Sequence, residues 1–361
     1  MAHRWQGIAC ALLSAALFGA GTPFAKALLG EIGPWMLAGL LYLGSGLGLA
    51  ALRGVHRLRG GVPAEAPLAR RDLPWLAAVV LAGGIAGPVL LMLGLSATPA
   101  STASLLLNLE GLFTLGIAWV VFRENVDRRI ALGAAAILAG AVLLSWSGGG
   151  PGGGPGGETG GVAGIGRGGL LIAAACLAWG IDNNLTRKLS SADPLQIAMV
   201  KGLAAGVVNT ALALSAGAAL PSPGLLAGAA AIGFLGYGIS LILFVLALRH
   251  LGSARTGAYF SLAPFVGAAA AILAFGEPLT PRFAAAAVLM GAGLYLHLVE
   301  RHEHGHRHEA MEHEHRHSHD EHHQHRHEGW EGAEPHSHPH AHAPLVHAHP
   351  HFPDIHHRHP H

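Results

Sequence analysis

Ala118-Trp119-Val120-Val121-Phe122-Arg123-Glu124 ends one apolar run of the chain, and Ala271-Ile272-Leu273-Ala274-Phe275-Gly276-Glu277 ends another. Laid over each other without a gap, the surrounding segments match well beyond these words. Leu109 meets Leu262, Arg129 meets Arg282, Ala131 meets Ala284 and Gly140 meets Gly293. Each copy reads as an apolar helix, a short polar loop opened by Glu, and a second apolar helix. Self-similarity at such a distance marks a duplicated unit.

The unit is one of lipid rather than water. Of the 361 residues, 51% are hydrophobic and 12% charged, whereas soluble chains carry roughly 25% charged residues. Mean hydropathy is +0.43. Crossing the hydrocarbon takes about 20 apolar residues in a helix, and ten such runs can be marked, at 7–29, 35–52, 73–95, 101–122, 130–146, 169–189, 195–220, 225–248, 252–275 and 283–299. Period-2 alternation is absent from them, which excludes a lipid-embedded barrel. The expected fold is therefore all-α and integral to the membrane, with ten transmembrane helices. Cys10 and Cys176 lie inside apolar runs and read as small buried hydrophobes, not a disulfide pair. A net charge of +1 gives no reason to expect nucleic acid.

Between the fifth and sixth runs, Ser147-Gly148-Gly149-Gly150-Pro151-Gly152 opens a Gly/Pro-rich linker. It lacks the Gly-Lys-Ser/Thr ending of a phosphate loop. The chain thus divides into a first repeat (1–146), the linker (147–167), a second repeat (168–299) and a tail (300–361). The halves match elsewhere too: Leu17-Phe18-Gly19 with Ala178-Trp179-Gly180, and Pro34 with Pro194 at the start of the second and seventh runs.

Positive residues favour the cytoplasmic side in short loops. Arg53, Arg57, Arg59, Arg70, Arg71, Arg123, Arg128, Arg129, Arg187, Lys188, Arg249 and Arg255 fall on one face, against Lys26, Arg167 and Arg282 on the other. This bias places both termini in the cytoplasm. Five helices per repeat is an odd number, so the second repeat sits upside down relative to the first. Inverted repeats typify secondary transporters, whose substrate site lies near the bilayer midplane.

Ten helices in two repeats, with Arg123-Glu124-Asn125 and Gly276-Glu277-Pro278-Leu279-Thr280 closing the fourth helix of each, resemble the EamA family of the drug/metabolite transporter superfamily. The resemblance covers roughly Trp5 to Val299. It implies a basket of helices around a central cavity, no covalent chemistry and hence no enzyme. It also implies a bacterial inner-membrane carrier, often an exporter of amino acids, metabolites or drugs. Ser261-Leu262-Ala263-Pro264-Phe265 keeps the family's mid-helix proline; the first copy has Asn108-Leu109-Glu110-Gly111-Leu112 instead.

A charge at the bilayer centre costs about 2.5–3.5 kcal/mol on insertion scales, so it should face a cavity or a partner. Glu110 either binds a cationic group of the solute, exchanges a proton, or pairs with a lysine on a neighbouring helix. Asp182, Asn183 and Asn184 are adjacent on one helix and point in three directions, so they cannot all line one cavity. Lys201 neutralises Glu110 or Asp182, binds a substrate carboxylate, or snorkels to the interface. Asn108, Tyr237, Tyr259 and Ser261 complete the candidate substrate-binding set. Gly83, Gly84, Gly87 and Pro88 in the third run, and Gly233, Gly236 and Gly238 in the eighth, mark corresponding places where helices break around a midplane site or pack closely. The tryptophans, mostly near span ends, read as interfacial anchors.

From Arg301 the composition changes. Most of the 27 histidines lie here, in His-x-His strings such as His302, His304, His306, His308 and His313, His315, His317, His319. Apolar content is too low for the tail to fold alone, and a disordered tail is expected. Imidazole suits Ni, Co, Zn and Cu, so the tail is expected to bind these ions, with no cofactor required by the membrane part. The preferred function is export of a small organic metabolite, amino acid or drug-like, by alternating access, with proton coupling left open. The rivals are a divalent-metal exporter and a non-transporting, membrane-tethered metal-binding or sensory protein. Expected partners are the bilayer, the solute and transition metals; a homodimer is left open.

Overall fold

A computed structural model describes residues 2–60, 67–122, 128–146, 166–186, 189, 192–251, 256, 259–298, 303–308, 311–317, 336–342 and 345–350. Its body is helical. We number the helices α1 (Ala2–Leu28), α2 (Pro34–Leu58), α3 (Arg70–Ser96), α4 (Ala100–Leu106 and Leu109–Phe122), α5 (Arg128–Ser145), α6 (Arg167–Thr186) and α7 (Pro194–Ser215). There follow α8 (Pro223–Gly233, Phe234–Ile239 and Ser240–Leu251), α9 (Ala263–Phe275) and α10 (Pro281–Leu298).

Seven stretches among the described residues are long and apolar enough to cross a membrane. α6 has the length, at 20 residues, but Asp182, Asn183 and Asn184 lower its apolarity. α9 and α10 are shorter apolar helices. Helices satisfy their own backbone groups where lipid cannot, which is why the apolar runs take this form. Local signals set their ends. Proline opens α2, α7, α8 and α10, where its missing N–H is no loss. The Asp193 carboxylate caps α7 by accepting from Leu195 N at 2.9 Å. Gly276, at φ 67°, ends α9 in the left-handed conformation that glycine adopts without strain.

The packing maps onto itself when the repeats are exchanged. α1 lies against α8 and α9, as α6 lies against α3 and α4; α2 packs on α8 as α7 packs on α3. The pairs α2–α7, α4–α9 and α5–α10 join equivalent helices. Small residues allow the close crossings that lipid-embedded helices rely on. A Cβ at Gly202 of α7 would lie 2.8 Å from Gly46 N of α2. Gly140 and Gly293, equivalent in the overlay, face the opposite helix across α5–α10: a Cβ at Gly140 would meet Met290, and one at Gly293 would meet Ile137.

Two pairs of helices are irregular at corresponding places. α4 turns at 107–108, and α9 is preceded by a turn at 261–262. α3 is π-helical over Val80–Ala86, and α8 over Phe234–Ile239. Gly83, Gly84, Gly236 and Gly238 lie in these irregular turns, while Gly87, Pro88 and Gly233 lie in the regular helix that flanks them.

In the tail, the described segments are extended: β1 (Glu303–His308) pairs antiparallel with β4 (Leu345–Pro350), and β2 (Met311–His317) with β3 (His336–His342). The His-x-His alternation has the period of a strand, which is compatible with extended pairing despite the polar composition.

Candidate functional site

The site forms where the helices depart from regularity. A π turn loosens the backbone ladder, and side chains take up its carbonyls. In α3 the Gly83 carbonyl accepts the Tyr42 hydroxyl at 2.8 Å and the Trp179 indole Nε1–H at 2.9 Å. The Gly84 carbonyl accepts from Asn209 Nδ2 at 3.2 Å. Glycine is needed here for space. A Cβ at Gly83 would run into the Asp182 carboxylate, and one at Gly84 would lie 2.7 Å from the Ala205 Cβ.

In α8 the π segment carries Tyr237. Its ring stands 5.6 Å from that of Tyr42 and 5.7 Å, edge-on, from that of Phe18. The aromatic run continues from Phe18 to Phe260 at 5.3 Å and from Phe260 to Phe244 at 4.9 Å. The two π segments thus meet at Tyr42, which donates to one and stacks on the other.

The three polar neighbours of α6 separate as their spacing requires. Asp182, 4% exposed, forms an ion pair with Lys201 of α7 and accepts the Thr186 hydroxyl at 3.2 Å. Asn183 donates to Glu110 Oε1 at 2.9 Å and to Thr114 Oγ1 at 3.2 Å. Asn184 turns to backbone, donating to Thr114 O at 3.1 Å and Gly180 O at 2.8 Å. Lys201 therefore neutralises Asp182, not Glu110. Glu110 sits in the first turn after the break in α4 and is partly accessible, as are Tyr237 and Phe18. Among the described residues no basic side chain pairs with it.

Of the other expected residues, Asn108 is buried and bonds back to Leu105 O at 2.8 Å, closing the first half of α4. Ser261 lies at the corresponding break before α9. Tyr259 packs with Ala11 and Ala247 in a small separate cluster. Sequence reasoning passed over Trp179, which is 7% exposed and central, and also Tyr42, Phe18, Thr114 and Asn209. The match of Phe18-Gly19 with Trp179-Gly180 was the available signal. Gly19 packs against Ala263 and Gly267 of α9, and Gly180 against Phe113 and Thr114 of α4, so both aromatics stand beside a broken helix.

Contacts tie the helix ends together on both sides of this cluster. At one end, Glu277 accepts from Ala100 N at 2.7 Å and Ser101 N at 2.8 Å, and Lys26 donates to Leu95 O and Ser96 O. Arg282 there donates to Leu143 O and Trp146 O. At the other end, Arg53 pairs with Asp193 at 2.9 Å, and Leu68 N donates to Gln196 Oε1 at 3.2 Å. Glu124, Arg187 and Arg255 lie outside the described residues.

In the tail, His304, His306 and His308 fall on β1 and His313, His315 and His317 on β2; His302 and His319 lie outside the described residues. The register sets His304 opposite His349 and His306 opposite His347. It likewise sets His313 opposite His340, His315 opposite His338 and His317 opposite His336. Among the described residues, no group of three His, Cys, Asp or Glu is placed to hold a metal ion.

The model of the EamA-like transporter family matches residues 5–146 and 166–299. An uncharacterized transporter of Methanothermobacter thermautotrophicus is 27% identical over 303 residues, covering 81% of this chain and 86% of its own. A solved chain described as "Crystal structure of protein" superposes with a TM-score of 0.56 at 18% identity, covering 83% of this chain and 99% of its own. That likeness is one of fold.

Proposed function

The chain belongs to the EamA-like transporter family and is a multi-pass membrane transporter, and from that premise we propose a secondary carrier that exports a small organic metabolite by alternating access. The observation that carries this reading is the pairing of irregular helices. α4 and α9 break at equivalent places, α3 and α8 are π-helical at equivalent places, and Glu110, Asn183, Asp182 and Lys201 gather beside them. Discontinuous helices in corresponding positions of two inverted halves frame midplane substrate sites in secondary transporters. Exchange of two equivalent packings about such a site supplies the two access states, with Glu110 as the solute-facing carboxylate and the Asp182–Lys201 pair as the element that ties α6 to α7. The arginine bias of the loops supports an inner-membrane orientation with both termini in the cytoplasm.

Reconstitution in liposomes tests this. Counterflow of amino acids, amines, sugars and drug-like solutes is screened, and Glu110→Gln is compared with the parent chain. Uptake of at least one organic solute that falls about tenfold in the variant supports the reading. Flux of divalent ions alone, or undiminished flux in Glu110→Gln, overturns it.

A second reading concerns the tail. The His-x-His strings of the tail support binding of Ni, Co, Zn or Cu there, since imidazole suits these ions. Deleting the chain after Val299 separates the roles. Unchanged solute flux with lost metal binding assigns the tail a storage or buffering task; loss of metal export assigns the whole chain to a divalent-metal exporter.

A further inference from the structure

We propose that the solute carries an organic ammonium group, bound by Glu110 and faced by the rings of Tyr42, Tyr237 and Phe18. The proposal rests on the carrier reading and adds the chemistry of the ligand. The charge pattern comes first. Two carboxylates, Glu110 and Asp182, stand near one ammonium, Lys201, and the Lys201–Asp182 ion pair consumes that ammonium. The Glu110 carboxylate is left without an ion-pair partner among the described residues. Its neighbour Asn183 donates a neutral amide hydrogen at 2.9 Å, which orients the carboxylate without cancelling its charge. A carboxylate at mid-span, partly accessible and with no basic partner among the described residues, is complementary to an arriving cation.

The surroundings decide which cation. Tyr42 is buried, donates to the Gly83 carbonyl beside Asp182 and backs the ring of Tyr237, while Asn183, the residue after Asp182, holds Glu110. The rings of Tyr42, Tyr237 and Phe18 form a continuous wall, with centroids 5.6 and 5.7 Å apart, extended by Phe260 and Phe244. Aromatic faces attract a cation through the ring quadrupole and also cover apolar surface. That combination suits an amine with an apolar body. Glu110 and Asn183 together offer a bare metal ion only two donor side chains. An anionic solute would meet the Glu110 carboxylate, with Lys201 already engaged by Asp182.

The test uses the full chain in lipid nanodiscs and three probes of similar size: 2-phenylethylammonium, 2-phenylethanol and 3-phenylpropanoate. Binding is read by calorimetry. The parent chain is expected to bind the ammonium about tenfold more tightly than the alcohol, and the carboxylate most weakly. Glu110→Gln should erase the preference for the ammonium over the alcohol. Tyr237→Leu should weaken ammonium binding about tenfold, and Tyr237→Phe should recover it, because the ring face rather than the hydroxyl is needed. Should Glu110→Gln not yield folded protein, the Tyr237 pair alone decides. Equal binding of alcohol and ammonium, a preference that survives Glu110→Gln, no recovery in Tyr237→Phe, or binding of none of the three probes overturns the proposal. The carrier reading is judged separately by the liposome screen: flux of a neutral or anionic solute there leaves the carrier standing and this proposal fallen.

Discussion

The Asp182 carboxylate occupies the space that a side chain at Gly83 would need. A Cβ at Gly83 would lie 2.6 Å from Asp182 Cβ and closer still to the carboxylate. The π turn of α3 and the ion pair between α6 and α7 are therefore one construction, not two. Gly83→Ala should push Asp182 off Lys201 and lower the thermal midpoint of the detergent-solubilised protein by several degrees, with a parallel loss of flux. Gly116→Ala in α4, where a Cβ would meet nothing within 4 Å, should leave the midpoint in place. Equal midpoints for the two variants would show that Asp182 has room to move.

Breaking a buried ion pair from one side leaves an uncompensated charge and costs about 3–5 kcal/mol, whereas replacing both partners is often close to neutral. Asp182 and Lys201 have side chains 6% and 20% exposed, so this regime applies. Asp182→Asn and Lys201→Met should each destabilise markedly, and the double variant less than either. Denaturant unfolding of the four proteins gives the coupling directly. Additive losses would contradict a shared pair.

The Gly83 carbonyl accepts from both Tyr42 and Trp179. Removing one donor leaves the other, so Tyr42→Phe and Trp179→Phe should each cost about 1 kcal/mol. Removing both leaves a π-turn carbonyl without its two side-chain partners and should cost about 1–3 kcal/mol beyond the sum. Melting of the single and double variants in one detergent measures the excess; strict additivity would mean that another group takes over.

Glu277 caps the start of α4 with both carboxylate oxygens. Glu277→Ala should cost about 1–2 kcal/mol, the range of a lost cap with its helix-dipole contribution. It should also loosen the end of the bundle at which Lys26 holds the last carbonyls of α3. A cysteine placed at Ser101, which is buried, should then react faster with an impermeant maleimide. Unchanged labelling would restrict Glu277 to a local role.

Much of the body could be read from residue order. The overlay of Glu124 on Glu277 gave the duplication, and the Gly83–Gly84 and Gly236–Gly238 clusters pointed to the two π segments, because glycine tolerates close approach and irregular turns. What periodicity does not carry is the partner across a helix crossing. Lys201 had two carboxylates within reach on paper, and only the packing of α3 between α6 and α7 brings it to Asp182. Trp179 reads as an interfacial anchor when counted by type, yet its indole is committed to Gly83. Tyr259 packs with Ala11 and Ala247, a neighbourhood that spacing alone does not reveal.

The inverted relation of the halves is the central claim, and the side of the membrane on which the linker lies tests it most directly. Single cysteines at Pro151 and Pro360, in a chain with Cys10 and Cys176 replaced, are exposed to an impermeant maleimide on intact cells and again after lysis. Labelling of position 151 on intact cells, with position 360 protected until lysis, is the predicted result. Labelling of both positions only after lysis would put the linker on the side of the chain ends and contradict the inversion.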